Sequence, residues 1–315
     1  MKRIIFSKLV IVVWIVASAV ACSKSSSSGP STSSNTDTTK SSSTGTGSGA
    51  GLLKTEVLSM QAGTLGTIDS VVYQFQYNSS NQLSGLQQTT ISSFSGTTFN
   101  TAISYTYTYS GSLVSSIAGT VNESVTGSSG TYNSSTTLTL TFQSAAGKIT
   151  GYVQTATTTG SSLIPATPEN ANDSAVITYD GSGNVASYNL YLLDSGTYIP
   201  WTQETFTLSS GNIASTVLNE FVAGVQTNTQ TSTYTYNSKV AASPYYDIPG
   251  VPINNANDVT AETQTTTGIN PATLGYTYTT TYNSANQPSS SSVAVTQTPA
   301  NTYNITGEQI TYTYQ

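Results

Sequence analysis

The sequence predicts an all-β protein, a long antiparallel meander of repeated hairpins forming a curled or rolled sheet. Three observations carry this. Aromatic or aliphatic residues alternate with hydroxyl and amide residues at period two, the spacing that puts one set on each face of a strand. One turn grammar recurs along the chain. The composition is rich in Thr, Ser, Asn, Gln and Tyr, with 36% hydrophobic and only 7% charged residues, which favours strands and argues against a disordered chain.

The strands read in order as Val72-Tyr73-Gln74-Phe75-Gln76-Tyr77, Ser104-Tyr105-Thr106-Tyr107-Thr108-Tyr109, Leu138-Thr139-Leu140-Thr141-Phe142, Thr233-Tyr234-Thr235-Tyr236, Tyr276-Thr277-Tyr278 and Thr311-Tyr312-Thr313-Tyr314. No stretch after the N-terminal segment shows helical periodicity. The turns follow suit. Tyr77-Asn78-Ser79-Ser80-Asn81-Gln82-Leu83 and Tyr282-Asn283-Ser284-Ala285-Asn286-Gln287-Pro288 are near copies. Tyr179-Asp180-Gly181-Ser182-Gly183-Asn184-Val185 and Leu208-Ser209-Ser210-Gly211-Asn212-Ile213 are variants of them. Asn or Asp opens such a turn through its side chain, and Gly or Asn accepts the position with positive φ. The spacing of these turns implies about 14–16 strands, more than an open sheet carries without curling or splitting.

This grammar resembles the YD repeats of RHS-type proteins, most closely at Tyr179-Asp180-Gly181-Ser182-Gly183-Asn184-Val185, where Asn184 stands in place of the usual Arg. The whole of residues 55–315 resembles envelope lipoproteins that string degenerate hairpins of this kind together. The resemblance implies a scaffold and names no activity.

Three segments divide the chain. Residues 1–21 read as a signal peptide: Lys2, Arg3 and Lys8 precede the apolar run Leu9–Val20, which is too short for the roughly 20 residues of a membrane-spanning helix. Ala19-Val20-Ala21-Cys22 resembles the lipobox of bacterial lipoproteins, with Ala19 where Leu is usual. The resemblance implies diacylglycerol on Cys22, the single cysteine of the chain, and, with Ser23 following, an outer-membrane destination on an unresolved face. Residues 22–51 form a Ser/Thr/Gly tether with a mean span of about 30 Å, in which Asp37-Thr38-Thr39 resembles a short O-glycosylation signal. Residues 52–315 are the β-hairpin repeat domain.

Composition removes several function classes. The chain has no histidine, hence none of the usual general base, commonest zinc ligand or Ser-His arrangement. Once the signal is removed, the basic residues are Lys24, Lys40, Lys54, Lys148 and Lys239, set against 14 acids in the whole chain, so no positive footprint exists for nucleic acid. No phosphate loop and no cofactor motif is present, and no metal site is expected.

Four features are candidates. The tyrosine rows could stack glycans, although tyrosines on one strand face are more simply the buried face. Asp180-Gly181-Ser182-Gly183-Asn184 has the outline of a calcium loop, but one acid is a poor cage for the ion and a turn is expected. Glu204 and Glu220, in adjacent expected strands, are the most plausible glycosidase pair of the 14 acids. Val240–Asp258 interrupts the repeat and places Tyr245, Tyr246 and Asp247 in a loop, where ligand binding or a plug over the sheet end is expected. The functional expectation is a lipid-anchored, non-catalytic outer-membrane module, attached through its N-terminal lipid. It would bind an extracellular polymer such as a glycan, bind an envelope protein, or space components. Alternatives are a carboxylate-dependent glycoside hydrolase and an apolar-ligand carrier. The β domain is not expected to span the bilayer, because both strand faces would put hydroxyls or phenols into hydrocarbon.

Overall fold

The computed structural model describes residues 52–62, 68–94, 97–127, 130–161, 170–239, 241, 250–251, 255–269, 271–298 and 305–314; the signal and tether lie outside them. The first eight strands are β1 (Leu53–Ala62), β2 (Ile68–Tyr77), β3 (Leu83–Phe94), β4 (Thr97–Ser110), β5 (Leu113–Gly127), β6 (Gly130–Ala145), β7 (Lys148–Ser161) and β8 (Asn170–Tyr179). The second eight are β9 (Val185–Asp194), β10 (Thr197–Ser209), β11 (Asn212–Val222), β12 (Val225–Tyr236), β13 (Val259–Gly268), β14 (Ala272–Tyr282), β15 (Pro288–Thr298) and β16 (Ile305–Tyr314).

Each strand pairs with the next, and β1 pairs antiparallel with β16, so the sixteen strands close into a barrel. The meander is as expected; the curled or rolled open sheet is corrected to a closed ring. Closure removes the two bare edges that an open sheet of this length would present.

Alternation decides which side chains enter the barrel. Wall residues of a single closed layer can be covered only on the concave side, so the buried face is the lumen. Tyr105, Tyr107 and Tyr109 pack into the core with Ile117, Leu140, Tyr152 and Ile177, while Thr106 and Thr108 between them are exposed. The same split holds for Leu138 and Leu140 against Thr137, Thr139 and Thr141, and for Tyr276 and Tyr278 against Thr277 and Thr279. The tyrosine rows are therefore buried faces.

The connections from even to odd strands lie at one end of the barrel, here the turn end, and three of the described ones share one geometry. Asn78 Oδ1 accepts the N–H groups of Ser80 and Gln82 at 2.9 and 3.0 Å. Asn283 Oδ1 accepts those of Ala285 and Gln287 at 2.9 and 3.0 Å, and Asp180 Oδ1 those of Ser182 and Asn184 at 2.9 and 2.8 Å. Asn81, Gly183 and Asn286 take the positive φ of 60°, 88° and 59°. Asp180 is thus a turn residue, and its carboxyl is held below the ordinary range by hydrogen bonds from Asn184, with further help from the turn backbone.

A second device recurs every four strands. A tyrosine at the end of a strand donates its hydroxyl to a carbonyl at the start of the preceding strand: Tyr109 to Leu83 at 2.8 Å, Tyr179 to Ile149 at 2.7 Å, Tyr236 to Ile213 at 2.6 Å and Tyr314 to Pro288 at 2.8 Å. Each clasp ties the end of one strand to the start of the strand before it, beside a hairpin turn.

Candidate functional site

The link between β12 and β13 begins as one more turn of the repeat. Asn237 Oδ1 accepts the N–H of Lys239 at 2.7 Å, and Asn237 donates its own N–H to the carbonyl of Asp258 at 3.0 Å. Asp258 thus stands where Gln82 stands in the short turn, and residues 240–257 are an insertion within it. Val251, in this insertion, belongs to the core cluster that includes Val114 and partly buried Phe142. Gly250 lies against both, since a side-chain carbon added there would come within 3.0 Å of the Phe142 ring and 3.3 Å of Val114. These residues sit on β5 and β6, nearly opposite β12 and β13 in the ring, so the insertion reaches across the mouth at the turn end.

The returning stretch is pinned to β11. Asn255, fully buried, accepts the N–H of Ile213 at 2.8 Å. Asn257 and Asn212 exchange two hydrogen bonds at 2.9 and 3.1 Å, and Ala256 donates to the carbonyl of Gly211 at 3.0 Å. Asp258 accepts the Tyr282 hydroxyl at 2.6 Å, and burial pushes its carboxyl up. The described residues of the insertion thus pack at this mouth against β5 and β6 at one point and against the start of β11 at another. Tyr245, Tyr246 and Asp247, the expected ligand contacts, lie outside the described residues.

The lumen carries acids and no lysine among its described residues. Glu56, 5% exposed, faces Tyr73 and Tyr312 across the ladders on either side; burial pushes its carboxyl up to about 8. Glu308, 4% exposed, is pushed up to about 7 by burial, and its Oε2 meets no hydrogen-bond donor among the described residues. Burial also pushes Asp173, which accepts the Gln154 amide at 3.2 Å, up to about 6. Glu262 accepts the Gln264 amide at 2.7 Å. Sequence reasoning missed Glu56 because the apolar Val57 and Leu58 beside it leave the phase of the strand ambiguous. It missed Glu262 because Ala261-Glu262-Thr263-Gln264 has no strong apolar residue to mark the inner face.

The expected carboxylate pair is brought together in part. Glu204 on β10 faces Leu218, and Glu220 on β11 faces Thr202, so both acids share the lumen face two residues out of register. Such diagonal neighbours lie about 7–8 Å apart. Glu220 accepts the Asn228 amide at 2.9 Å, a bond that ties it to β12. No group of three or more metal-ligating side chains occurs among the described residues.

No protein-family model matches the sequence, and no curated protein does. Among solved structures the chain is similar to a porin-like protein from Bacteroides uniformis ATCC 8492, with a TM-score of 0.48 and 14% identity over 84% of this chain and 98% of that one. It is also similar to a porin-like protein from Bacteroides vulgatus ATCC 8482, with a TM-score of 0.44 and 9% identity over 84% and 99%.

Proposed function

We propose that this chain is a lipid-anchored module of the outer membrane whose barrel stands in water, and that it binds an envelope polymer or protein without catalysing a reaction. The observation that carries this reading is the outer wall. A barrel in a bilayer needs an apolar band about 25 Å tall on every strand. Here the outward positions of β4, β6, β12, β14 and β16 include the exposed Thr106, Thr139, Thr233, Thr277 and Thr311. The exposed large hydrophobics among the described residues are Ile91, Val176, Leu193, Tyr198, Val222, Val225 and Ile269. Most sit at the hairpin tips of β9–β14, too few and too local to make a band. The anchor is Cys22, and the tether holds the barrel within reach of the membrane without inserting it.

The test is the full chain with Cys22→Ala behind a cleavable, non-lipid signal. The expected result is a β-rich protein in the periplasmic fraction without detergent. Recovery only from membranes, with heat-modifiable migration on a gel, overturns the water-solvated reading.

A second reading draws on the diagonal placement of Glu204 and Glu220, which suits a carboxylate-dependent glycoside hydrolase of the inverting type. Turnover of a chromogenic glycoside that is abolished by Glu204→Gln replaces the non-catalytic reading.

A further inference from the structure

We infer that the outer wall over β3–β7 carries a binding groove for a neutral, hydroxyl-rich polymer, an inference that rests on the binding-module reading above. A groove of about 530 Å³ crosses the strands there, within the usual size range of ligand sites. Its floor is the row Thr101, Glu123, Ser134 and Gly160, lateral partners on four adjacent strands. Their side chains turn to the lumen, where the Ser134 hydroxyl donates to Glu123 at 3.1 Å. From outside, the floor is therefore backbone.

The walls are the flanking rows, whose side chains point outward. Asn100, Ser124 and Asn133 stand on one side, and Thr89, Ala102, Asn122, Ser135 and Thr159 on the other. The Ser135 hydroxyl donates to Asn122 Oδ1 at 2.8 Å, which orders the two side chains that face a ligand. Apart from Ala102, the wall residues are amides and hydroxyls that both donate and accept, the pattern that matches vicinal hydroxyls.

Elimination narrows the occupant. Glu123, the one ionisable residue lining the groove, directs its carboxylate into the lumen, so a charged ligand gains nothing from the groove. Arg, Trp and Tyr, which anchor most protein interfaces, are missing from its lining. The groove spans four strand-to-strand steps of about 4.8 Å, or about 19 Å. That length fits several units of a chain rather than one small molecule. Each contact is exposed to water and weak, so affinity comes from many repeated contacts along the polymer.

The experiment is affinity electrophoresis of the full chain carrying Cys22→Ala, in native gels containing laminarin or mannan as neutral polymers, alginate as an acidic one and chitosan as a basic one. The expected result is retardation by a neutral polymer alone, weakened about tenfold or more by Asn122→Ala with Asn133→Ala and unchanged by Asn219→Ala on the outer wall of β11. Circular dichroism checks that the variants fold. Retardation that survives the groove substitutions overturns the groove and keeps the binding-module reading. Retardation by alginate or chitosan in preference to the neutral polymers overturns the ligand class. No retardation by any polymer overturns the groove and the polymer-binding function together.

Discussion

The hydroxyl of Tyr236 lies 2.6 Å from the carbonyl oxygen of Ile213, which ties the end of β12 to the start of β11. Three further tyrosines make the same bond at four-strand intervals. Removing the hydroxyl deletes a hydrogen bond beside a buried residue, at a cost of about 0.5–1.5 kcal/mol. Tyr236→Phe is expected to lower the unfolding free energy by that amount. Tyr109→Phe and Tyr179→Phe, distant from it in the ring, are expected to add to the loss almost independently. Equilibrium urea unfolding of the single and triple variants checks both statements.

Stability is expected to fall as pH rises through the neutral range. Burial raises the carboxyl of Glu56 to about 8, Glu308 to about 7 and Asp173 to about 6. A carboxyl whose folded value lies above its unfolded one binds its proton more tightly in the native state. Its contribution is then largest below the unfolded value and is lost as pH climbs towards the folded value. The window runs from about 4.5 to 8 for Glu56. Denaturation midpoints at pH 5, 7 and 9 should decline in that order, and Glu56→Gln should flatten the decline.

Asn255→Ala is expected to release the insertion. The side chain is fully buried and accepts the N–H of Ile213, so its loss leaves a buried donor unsatisfied and costs about 1–3 kcal/mol. Limited proteolysis should show faster cleavage within residues 240–257, while the barrel strands stay protected.

Gly151→Ala tests how closely the wall is packed. A side-chain carbon at Gly151 would collide with the carbonyl oxygen of Ala175 on β8, so the β7–β8 ladder has to shift, at a cost of about 1–3 kcal/mol. Gly181→Ala meets nothing within 4 Å and is expected to stay within about 0.5 kcal/mol of the parent. Thermal melts of the two variants side by side make the comparison.

Local rules made much of the fold legible. Tyr105, Tyr107 and Tyr109 sit on the inner face that their alternation implies, and Asn78, Asp180 and Asn283 open the turns that the repeat grammar requires. Closure was not legible, because pairing β1 with β16 leaves no local mark; Leu58 and Ile310 meet across the ladder as any two apolar residues would. The groove was hidden for a related reason. Asn100, Asn122 and Asn133 are far apart in sequence and become neighbours only once register is fixed. Glu204 and Glu220 did fall on adjacent strands, since a single hairpin separates them.

Every ladder but one joins strands that follow each other in the chain, and the exception, β1 to β16, completes the ring. A growing polypeptide can therefore zip fifteen ladders in order and still be unfinished, with β1 bare along its whole outer side until β16 arrives. An unfinished ring is a ribbon with two adhesive borders, and a border of one copy can accept a strand of another. Such contacts run head to tail and need not close. Deleting Ile305–Tyr314 is thus expected to turn closed barrels into open-ended polymers, visible as a shift to large species in size-exclusion chromatography, with the sixteenth strand acting as the terminator that ends each ring.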